Sequence, residues 1–339
     1  MRVAVIGVGK MGLLHAGILN ALEGVELCAL ADTSKYLLGM VKNLKPVPVY
    51  DDYEKMLERE KPGAAVIATP VQLHVPMMKA CVTRGIHFLV EKPLSLDAHE
   101  AEKLVREAEE AKLVTMVGYM LRYVETFQKA HDVLKSGALG RIQSVHGTSY
   151  VAQLFQKGKG WRYSRKSSGG GVVIGQATHL LDLLHWYLGD AVRVSARCQN
   201  LYSEEVEDAA QGMIEFAGGV VASFDCSWSR RHHRLLEIGL EIQGENGDLN
   251  VDDDSVRLYL EDAAFGHAAG WTHWKKPDLF SGVTIDIGGP QYTRQDEAFA
   301  TAVRDGGRLG TDIAAGWRVQ RTVDAIYHSA EKSGAAVKV

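Results

Sequence analysis

A lysine that directly follows a predicted buried strand is the first residue in this sequence that could do chemistry. Lys92 comes after the apolar run 86–90 and is followed by Pro93, which fixes the backbone there. Ligands of open α/β sheets bind outside the carboxyl ends of the strands. An ammonium at that edge can donate a hydrogen bond to a reacting oxygen or help its proton leave. We therefore take Lys92 as the first candidate catalytic residue, with a solvated lysine as the alternative.

A second set of residues has the spacing of a dinucleotide site. The segment 7–12 reads G-x-G-x-x-G between a predicted strand and a predicted helix, a spacing that cradles a pyrophosphate. Asp32 follows Gly12 by 20 residues and ends the second predicted strand. A carboxylate there accepts hydrogen bonds from ribose hydroxyls and repels a 2′-phosphate. The sequence therefore predicts NAD rather than NADP, although Ser34 and Lys35 could soften that preference.

Length and composition exclude several classes of function. The 339 residues are enough for two domains, and 38 Lys and Arg against 42 Asp and Glu give a net charge of -4. This balance argues against binding nucleic acid through phosphate contacts. We see no apolar run that could cross a membrane and no signal peptide. The four cysteines lack paired spacing, so we expect no disulfide, no metal site and a cytoplasmic location.

The elements that must position these residues follow two patterns. Up to about residue 120, apolar runs alternate with amphipathic helical stretches, which is typical of a parallel sheet with helices on both faces. Strands are predicted at 3–6, 26–31, 65–69, 87–90 and 114–118, and helices near 11–22, 52–59, 74–84 and 97–112. We therefore expect an α/β fold whose first domain, a doubly wound parallel sheet, covers residues 1–120.

The rest of the chain predicts a second domain over residues 121–339. Its strands alternate apolar and polar residues, which indicates a large, open, mostly antiparallel sheet. Strands are predicted at 144–152, 192–199, 211–216, 220–228 and 235–243, and helices at 126–136, 172–188, 292–305 and 312–333. The hydrophobic face of this sheet would need helices or a second subunit as a cover, and we expect the final helix to pack back on the first domain.

Further motifs occur in a fixed order over nearly the whole chain. They are Ala68-Thr69-Pro70 with His74, Glu91-Lys92-Pro93, Gly118-Tyr119-Met120-Leu121-Arg122-Tyr123, Gly140-Arg141-Ile142, Gly169-Gly170-Gly171 and His179. With them the sequence resembles the glucose–fructose oxidoreductase/inositol dehydrogenase/rhizopine-catabolism family. The resemblance implies a Rossmann domain followed by a domain with a large open sheet, and NAD(P)-linked chemistry on sugars, cyclitols or related compounds. It also implies a homodimer or homotetramer formed through that sheet.

The resemblance also implies roles for individual residues. Lys92 would lie beside the nicotinamide and the reacting hydroxyl, with His179 as its acid/base partner. The implied cofactor-binding residues are Gly7, Gly9, Lys10, Met11, Gly12, Asp32, Thr69, Pro70, His74, Glu91, Lys92, Trp161 and Arg162. The implied substrate-binding residues are Lys92, Tyr119, Arg122, Trp161, Gln176 and His179. Interdomain packing is the alternative for the aromatic and basic members, and helix capping is the alternative for His74.

One position departs from the family pattern. Many members carry an aspartate four residues before the histidine, whereas this chain has Gly175, which cannot act as acid or base. Gln176 can only hydrogen-bond, and we interpret Asp182 as a structural acid on the helix face. The departure leaves Lys92 and His179 as a reduced catalytic pair.

Three functions remain open at this point. The first is NAD-dependent oxidation of a secondary alcohol of a sugar, sugar acid or cyclitol. The second is an NAD-binding sugar sensor without turnover, and the third is a transient-redox lyase or hydrolase that recycles NAD. The retained Lys92 and His179 favour an enzyme over the sensor, while Gly175 is the feature in the sensor's favour.

Three other features carry less weight. The basic run 230–234 could meet an anionic substrate, but a solvated strand edge or a subunit contact is the preferred interpretation. The acidic run 252–254 lacks the glycine and distal glutamate of a calcium loop and indicates a turn. Trp271 and Trp274 lie in an insertion without periodicity. They could form a lid or the wall of a partner's cleft, and the sequence does not decide between these roles.

Overall fold

The computed structural model describes residues 1–44, 47–156, 158 and 160–339. The chain divides into two compact units. Unit 1 contains Met1–Met120 and Gly282–Trp317, and unit 2 contains Leu121–Ser281 and Arg318–Val339. The first break lies at the predicted position after residue 120. The structure differs from the single continuous domain predicted for 121–339, because residues 282–317 pack within unit 1.

Unit 1 contains a parallel sheet that, in the described part of the chain, has six strands in the order β3-β2-β1-β4-β5-β6. Every pair of neighbouring strands in it is parallel, and the strand order reverses between β1 and β4. The elements are β1 (Arg2–Ile6), α1 (Lys10–Ala21), β2 (Glu26–Ala31), α2 (Lys35–Leu44), β3 (Val49–Tyr50), α3 (Tyr53–Glu60), β4 (Ala64–Ile67), α4 (His74–Thr83), β5 (His87–Val90), α5 (Ala98–Glu110) and β6 (Thr115–Val117). This is the doubly wound order of a dinucleotide-binding fold.

Local chemistry explains where several of these elements begin. The side chain of Asp52 accepts hydrogen bonds from the first turn of α3, and Asp97 accepts one from the backbone of Glu100 in α5. β4 and the last three residues of β5 are buried, as expected for strands covered on both faces. α2 and the two-residue β3 were not predicted from the sequence.

The rest of the chain contains the second sheet and its helices. The elements are α6 (Glu125–Ser136), β7 (Ile142–Tyr150), α7 (Arg165–Ser168), α8 (Thr178–Leu188), β8 (Ala191–Gln199), β9 (Ala209–Phe216), β10 (Val221–Ser227), β11 (Glu237–Gly244), β12 (Gly247–Val251), β13 (Ser255–Leu260), β14 (Gly270–Lys275), α9 (Lys276–Leu279), α10 (Pro290–Asp305), α11 (Ile313–Glu331) and β15 (Val337–Lys338). Among the described residues of unit 2, nine strands form one sheet in the order β14-β13-β12-β11-β7-β10-β9-β8-β15. Only β7 and β10 pair in parallel within it, so the predicted open, mostly antiparallel sheet is confirmed.

α8 packs closely against one face of this sheet. A Cβ atom added at Gly147 of β7 would lie 2.8 Å from Cδ1 of Leu180, so a larger residue there would require the Leu180 side chain to shift. The run 252–254 forms the predicted turn, where Asp252 accepts hydrogen bonds from the backbone of Asp254 and Ser255. Trp271 and Trp274 lie on strand β14 and not in an irregular insertion as expected, and their role as a lid or cleft wall stays a prediction.

Residues 282–317 belong to unit 1 because they bond to its sheet and helices. The backbone N–H of Val117 donates to the carbonyl of Thr311 at 2.7 Å, and the indole of Trp317 donates to the carbonyl of Ala98 at 3.0 Å. α10 contacts α1. The final helix α11 is divided between the units, since unit 1 includes it to Trp317 and unit 2 includes the remainder.

The cysteines are free thiols; Cys28, Cys81 and Cys226 are buried and Cys198 is half-buried. In the described ranges, no group of three or more His, Cys, Asp or Glu side chains is arranged to hold a metal ion. None of the helices described here has the length and apolar character needed to cross a membrane.

Candidate active site

The structure gives a different reason for glycine at each of the three positions in the segment 7–12. Gly7 has φ +93°, and a Cβ there would lie 2.5 Å from the carbonyl oxygen of Ala68. A Cβ on Gly12 would lie 1.8 Å from the carbonyl oxygen of Gly7, so only glycine lets α1 pack against the turn. Gly9 faces open space within 4 Å, at the residue just before α1 begins. The first and third glycines are therefore required by packing, and the second leaves room for a ligand.

The start of α1 has the chemistry of an anion site. Among the described residues, no side chain caps this helix. Its first backbone N–H groups, from Lys10 and Met11, follow the open position at Gly9. Unsatisfied N–H groups and the positive end of the helix dipole favour phosphate oxygens. The residues present thus fit a dinucleotide pyrophosphate.

Asp32 lies at the end of β2, beside the glycine turn. Its Oδ2 accepts a hydrogen bond from the backbone of Val8 at 2.7 Å, and its Oδ1 accepts one from Ser34 at 2.7 Å. These bonds fix the orientation of a half-buried carboxylate. Each carboxylate oxygen has a second lone pair, which remains suited to a ribose hydroxyl.

Lys92 occupies the predicted position at the carboxyl end of the parallel sheet. It follows Glu91, whose backbone N–H donates to the carbonyl of Ile67 at the end of β4. Lys92 is half-buried, and its bond to Pro93 is cis. The backbone N–H of Lys92 donates to Oε2 of Glu91 at 3.1 Å. The Lys92 segment is thus fixed by backbone bonds at the edge where ligands of such sheets bind.

His74 connects the ends of β4 and β5. Its Nε2 lies 2.9 Å from the carbonyl of Thr69 and its Nδ1 lies 2.9 Å from the carbonyl of Pro93. Burial lowers the pKa of His74, while hydrogen bonds to the two carbonyls oppose that effect. This bridge positions the loop of Thr69 and Pro70 beside the Lys92 loop. Contact of His74 with a cofactor stays a prediction.

In unit 2, His179 lies in the first turn of α8 and is buried. A π-helical turn, Val173–Ala177, precedes α8 and was not predicted. Gln176 lies in that turn, and its amide Nε2 donates to Oε1 of Gln153 at 3.1 Å. The predicted single helix over 172–188 is therefore interrupted, and the spacing between Gln176 and His179 is not that of a regular α-helix.

The glycine run before α8 is fixed by two residues that the sequence did not reveal. Glu207 accepts hydrogen bonds from the backbone of Gly171 and Val173, each at 2.9 Å, and from the Tyr327 hydroxyl at 2.9 Å. A Cβ on Gly171 would lie 1.9 Å from the carbonyl oxygen of Glu207, and one on Gly170 would lie 2.0 Å from Oη of Tyr327. This buried network sets where the helix carrying His179 begins.

Other predicted site residues lie in varied environments. Arg122 is buried and forms a two-point ion pair with Asp182, which agrees with a structural role for that acid. Tyr119 is buried in unit 1, whereas Trp161 is 42% exposed in unit 2 with the Arg162 guanidinium 4.9 Å from its ring centre. Substrate or cofactor contact by these residues stays a prediction.

Two protein-family models match the chain. One, described as an oxidoreductase family with an NAD-binding Rossmann fold, matches residues 1–119, and the other, the GFO/IDH/MocA C-terminal domain, matches residues 127–250. The chain belongs to this oxidoreductase family. The resemblance stated from the sequence is thereby confirmed, and so is the α/β fold with a Rossmann unit.

Individual family members are distant relatives of the chain. The myo-inositol 2-dehydrogenase of Thermotoga maritima is 25% identical over 260 residues, covering 75% of this chain and 75% of its own. The D-xylose 1-dehydrogenase (NADP(+)) 2 of Haloferax volcanii is 27% identical over 340 residues, covering 98% and 99%. A crystal structure of GenD2 from gentamicin A biosynthesis, in complex with NAD, superposes with a TM-score of 0.83 at 26% identity and covers 100% of this chain and 96% of that one.

Proposed function

We propose that this oxidoreductase uses NAD to oxidise a secondary alcohol of a sugar, sugar acid or cyclitol. The observation that carries the proposal is the position of Lys92, fixed at the carboxyl end of β5 in the unit that contains the glycine turn and Asp32. The names of the relatives support the substrate class, since they include dehydrogenases of inositol and xylose.

The proposed mechanism divides the work between cofactor and protein. Bound NAD⁺ supplies the hydride acceptor. Gly9, Lys10 and Met11 would hold the pyrophosphate through backbone N–H groups, and Asp32 would accept hydrogen bonds from the adenosine ribose. Lys92 donates a hydrogen bond to the reacting hydroxyl oxygen, which orients the carbinol. His179 accepts the hydroxyl proton as a neutral imidazole, so no full alkoxide has to form.

The proposal is tested by following NADH formation with a panel of sugars, sugar acids and inositols. Lys92→Ala should abolish turnover on any substrate found, while calorimetry should show that NAD still binds. Lys79→Ala, which removes an exposed lysine of α4 in the same unit, is the matched control and should behave as wild type. Near-wild-type turnover of Lys92→Ala would remove the mechanism, and inactivity of wild type on the whole panel would remove the substrate class.

We propose NAD as the preferred cofactor over NADP. The support is the carboxylate of Asp32, held beside the glycine turn by Val8 and Ser34. Lys35 nearby lines a cavity of about 470 Å³ together with Lys55 and Arg59. These cations would attract an anionic group such as a 2′-phosphate. The preference for NAD over NADP therefore requires that repulsion by the Asp32 carboxylate exceeds this attraction.

We also propose that the protein forms a homodimer or homotetramer through the open face of the unit 2 sheet. Strand pairing puts Met213, Val221 and Trp271 on the same face, and they are 55%, 43% and 66% exposed. Light scattering should give a mass above that of one chain, and Met213→Glu should lower it. Leu201→Glu, at an exposed position outside the strands, is the control. A monomeric wild type would contradict the proposal. The cytoplasmic location stays a prediction.

A further inference from the structure

A buried cluster of three charged side chains lies directly behind Lys92 in unit 1. Nδ1 of His15 lies 2.9 Å from both carboxylate oxygens of Asp296, and Nε2 of His15 lies 3.1 Å from Oε1 of Glu91. His15 and Asp296 are fully buried, and Glu91 is nearly so. Both ring nitrogens of His15 therefore face carboxylates, and an imidazolium with a proton on each nitrogen can donate to both.

The carboxylates of the cluster favour the protonated form of His15. Burial lowers the pKa of His15, but the charge and hydrogen bonds of Asp296 and Glu91 outweigh it and raise the pKa to about 10. Burial raises the pKa of Glu91, but the hydrogen bond and charge of His15, together with the charge of Lys92, hold it below its usual value. The charge of Glu91 also acts on Tyr292 and Asp296 of α10 and on His74, the first residue of α4.

The three residues come from three different elements. His15 lies in α1, one turn after Gly12, Glu91 follows β5, and Asp296 lies in α10. Oε2 of Glu91, the oxygen not bonded to His15, accepts the backbone N–H of Lys92. A Cβ on Gly118 would lie 3.0 Å from that same oxygen, so the glycine after β6 leaves room for the carboxylate.

We propose that His15 and Asp296 are positioning residues that lock Glu91, and through it the backbone of Lys92, to the helix that begins at the glycine turn. The inference rests on the proposed function only for the chemical role of Lys92. A rigid link between α1 and the Lys92 loop would set the distance between the phosphate-binding turn and the reacting group. A misplaced group costs rate even when ligand binding is intact.

Asp296→Asn is the variant that tests this, because it keeps a side-chain acceptor for His15 but removes the charge. Amide hydrogen exchange of peptides covering 86–96, measured on the protein without added ligand, should become faster. NAD affinity by calorimetry should change less than about threefold. The kcat for any substrate should fall on the order of 10- to 100-fold. Glu297→Gln, the neighbouring carboxylate of α10 that bonds Thr284, is the matched control.

A pH profile separates positioning from simple loss of stability. With one carboxylate gone, the pKa of His15 should fall toward its ordinary value. The kcat of Asp296→Asn should then decline as the pH rises through neutrality, a limb that wild type and Glu297→Gln lack. If Asp296→Asn does not fold, His15→Gln supplies the exchange and affinity measurements, since its amide still donates to one carboxylate.

Two results for Asp296→Asn would overturn the proposal. One is unchanged amide hydrogen exchange at 86–96 together with an unchanged pH profile of kcat. The other is an NAD affinity that falls by the same factor as kcat. The exchange and NAD measurements need no substrate. Inactivity of wild type on the substrate panel would therefore remove the proposed function while leaving the exchange measurement able to support or overturn the positioning role.

Discussion

The guanidinium of Arg122 holds the carboxylate of Asp182 at two points, with Nε 2.8 Å from Oδ2 and Nη2 2.7 Å from Oδ1. Both side chains are buried, and the guanidinium also lies 5.4 Å from the ring centre of Trp186. The pair ties the turn after residue 120 to α8, the helix that carries His179. Asp182 is thus part of what fixes that helix within unit 2.

Breaking this pair should destabilise unit 2. Asp182→Leu leaves a buried guanidinium without its carboxylate, and we expect a loss of about 3–5 kcal/mol in unfolding free energy. Urea unfolding followed by tryptophan fluorescence measures it. The double variant Arg122→Met/Asp182→Leu removes both charges and should recover much of the loss. A single-variant loss below about 1 kcal/mol would mean that the pair is not closed in solution.

Two glycines four residues apart should respond differently to alanine. Gly171→Ala places a Cβ 1.9 Å from the backbone oxygen of Glu207, so the loop must move or the network of Glu207 must break. We expect a loss of more than about 3 kcal/mol, or no folded protein. In Gly175→Ala the nearest atom is a ring carbon of Trp228 at 3.7 Å, which is ordinary contact.

Gly175→Ala should therefore fold with a stability change within about 1 kcal/mol of wild type. Thermal unfolding of the two variants side by side is the measurement. Equal stability of the two variants would contradict the close approach at Gly171. A large loss at Gly175 would show that the π-helical turn before α8 requires glycine for another reason.

Asp32 should control the choice between NAD and NADP. Calorimetric titration of wild type should give tighter binding of NAD, by about tenfold or more. Asp32→Asn removes the negative charge that repels a 2′-phosphate and keeps one acceptor oxygen, where the two carboxylate oxygens accept from Val8 and Ser34. It should therefore lower the ratio of NAD affinity to NADP affinity, mainly by strengthening NADP binding. Glu58→Gln, which removes an exposed carboxylate of α3 outside the cavity that Lys35 lines, is the control. Tighter binding of NADP by wild type would remove the role assigned to Asp32.

Local sequence patterns predicted one part of the site and not the other. The glycine turn, Asp32 and Lys92 were predictable because each depends on its place at a strand end, which hydrophobic runs reveal. His15 and Asp296 are 281 residues apart, and Glu207 lies 120 residues from Tyr327. Nothing in their local sequence distinguishes them from ordinary helix or loop residues.

The same limit applies to the fold. β12, β13 and β14 were not predicted because the sheet, rather than their own pattern, decides their conformation. The local sequence pattern places Trp274 in an insertion, whereas pairing with β13 places it on strand β14. The assignment of residues 282–317 to unit 1 likewise depends on contacts with α1 and β6, which the sequence order does not contain.

The proton on His15 should make stability fall at alkaline pH. The carboxylates raise the pKa of folded His15 to about 10 against burial, while an unfolded histidine titrates near 6.5. A raised folded pKa contributes stability that is complete below about pH 6.5 and is lost as the pH rises to about 10.

The urea midpoint of wild type should therefore decline across that window. In Asp296→Asn the decline should begin and end at lower pH, whereas Glu297→Gln should follow wild type. Because thiols and other groups also titrate near the upper end, the difference between the two variants is the quantity that reports His15. Superimposable curves for Asp296→Asn and Glu297→Gln would show that the imidazole does not carry the shared proton.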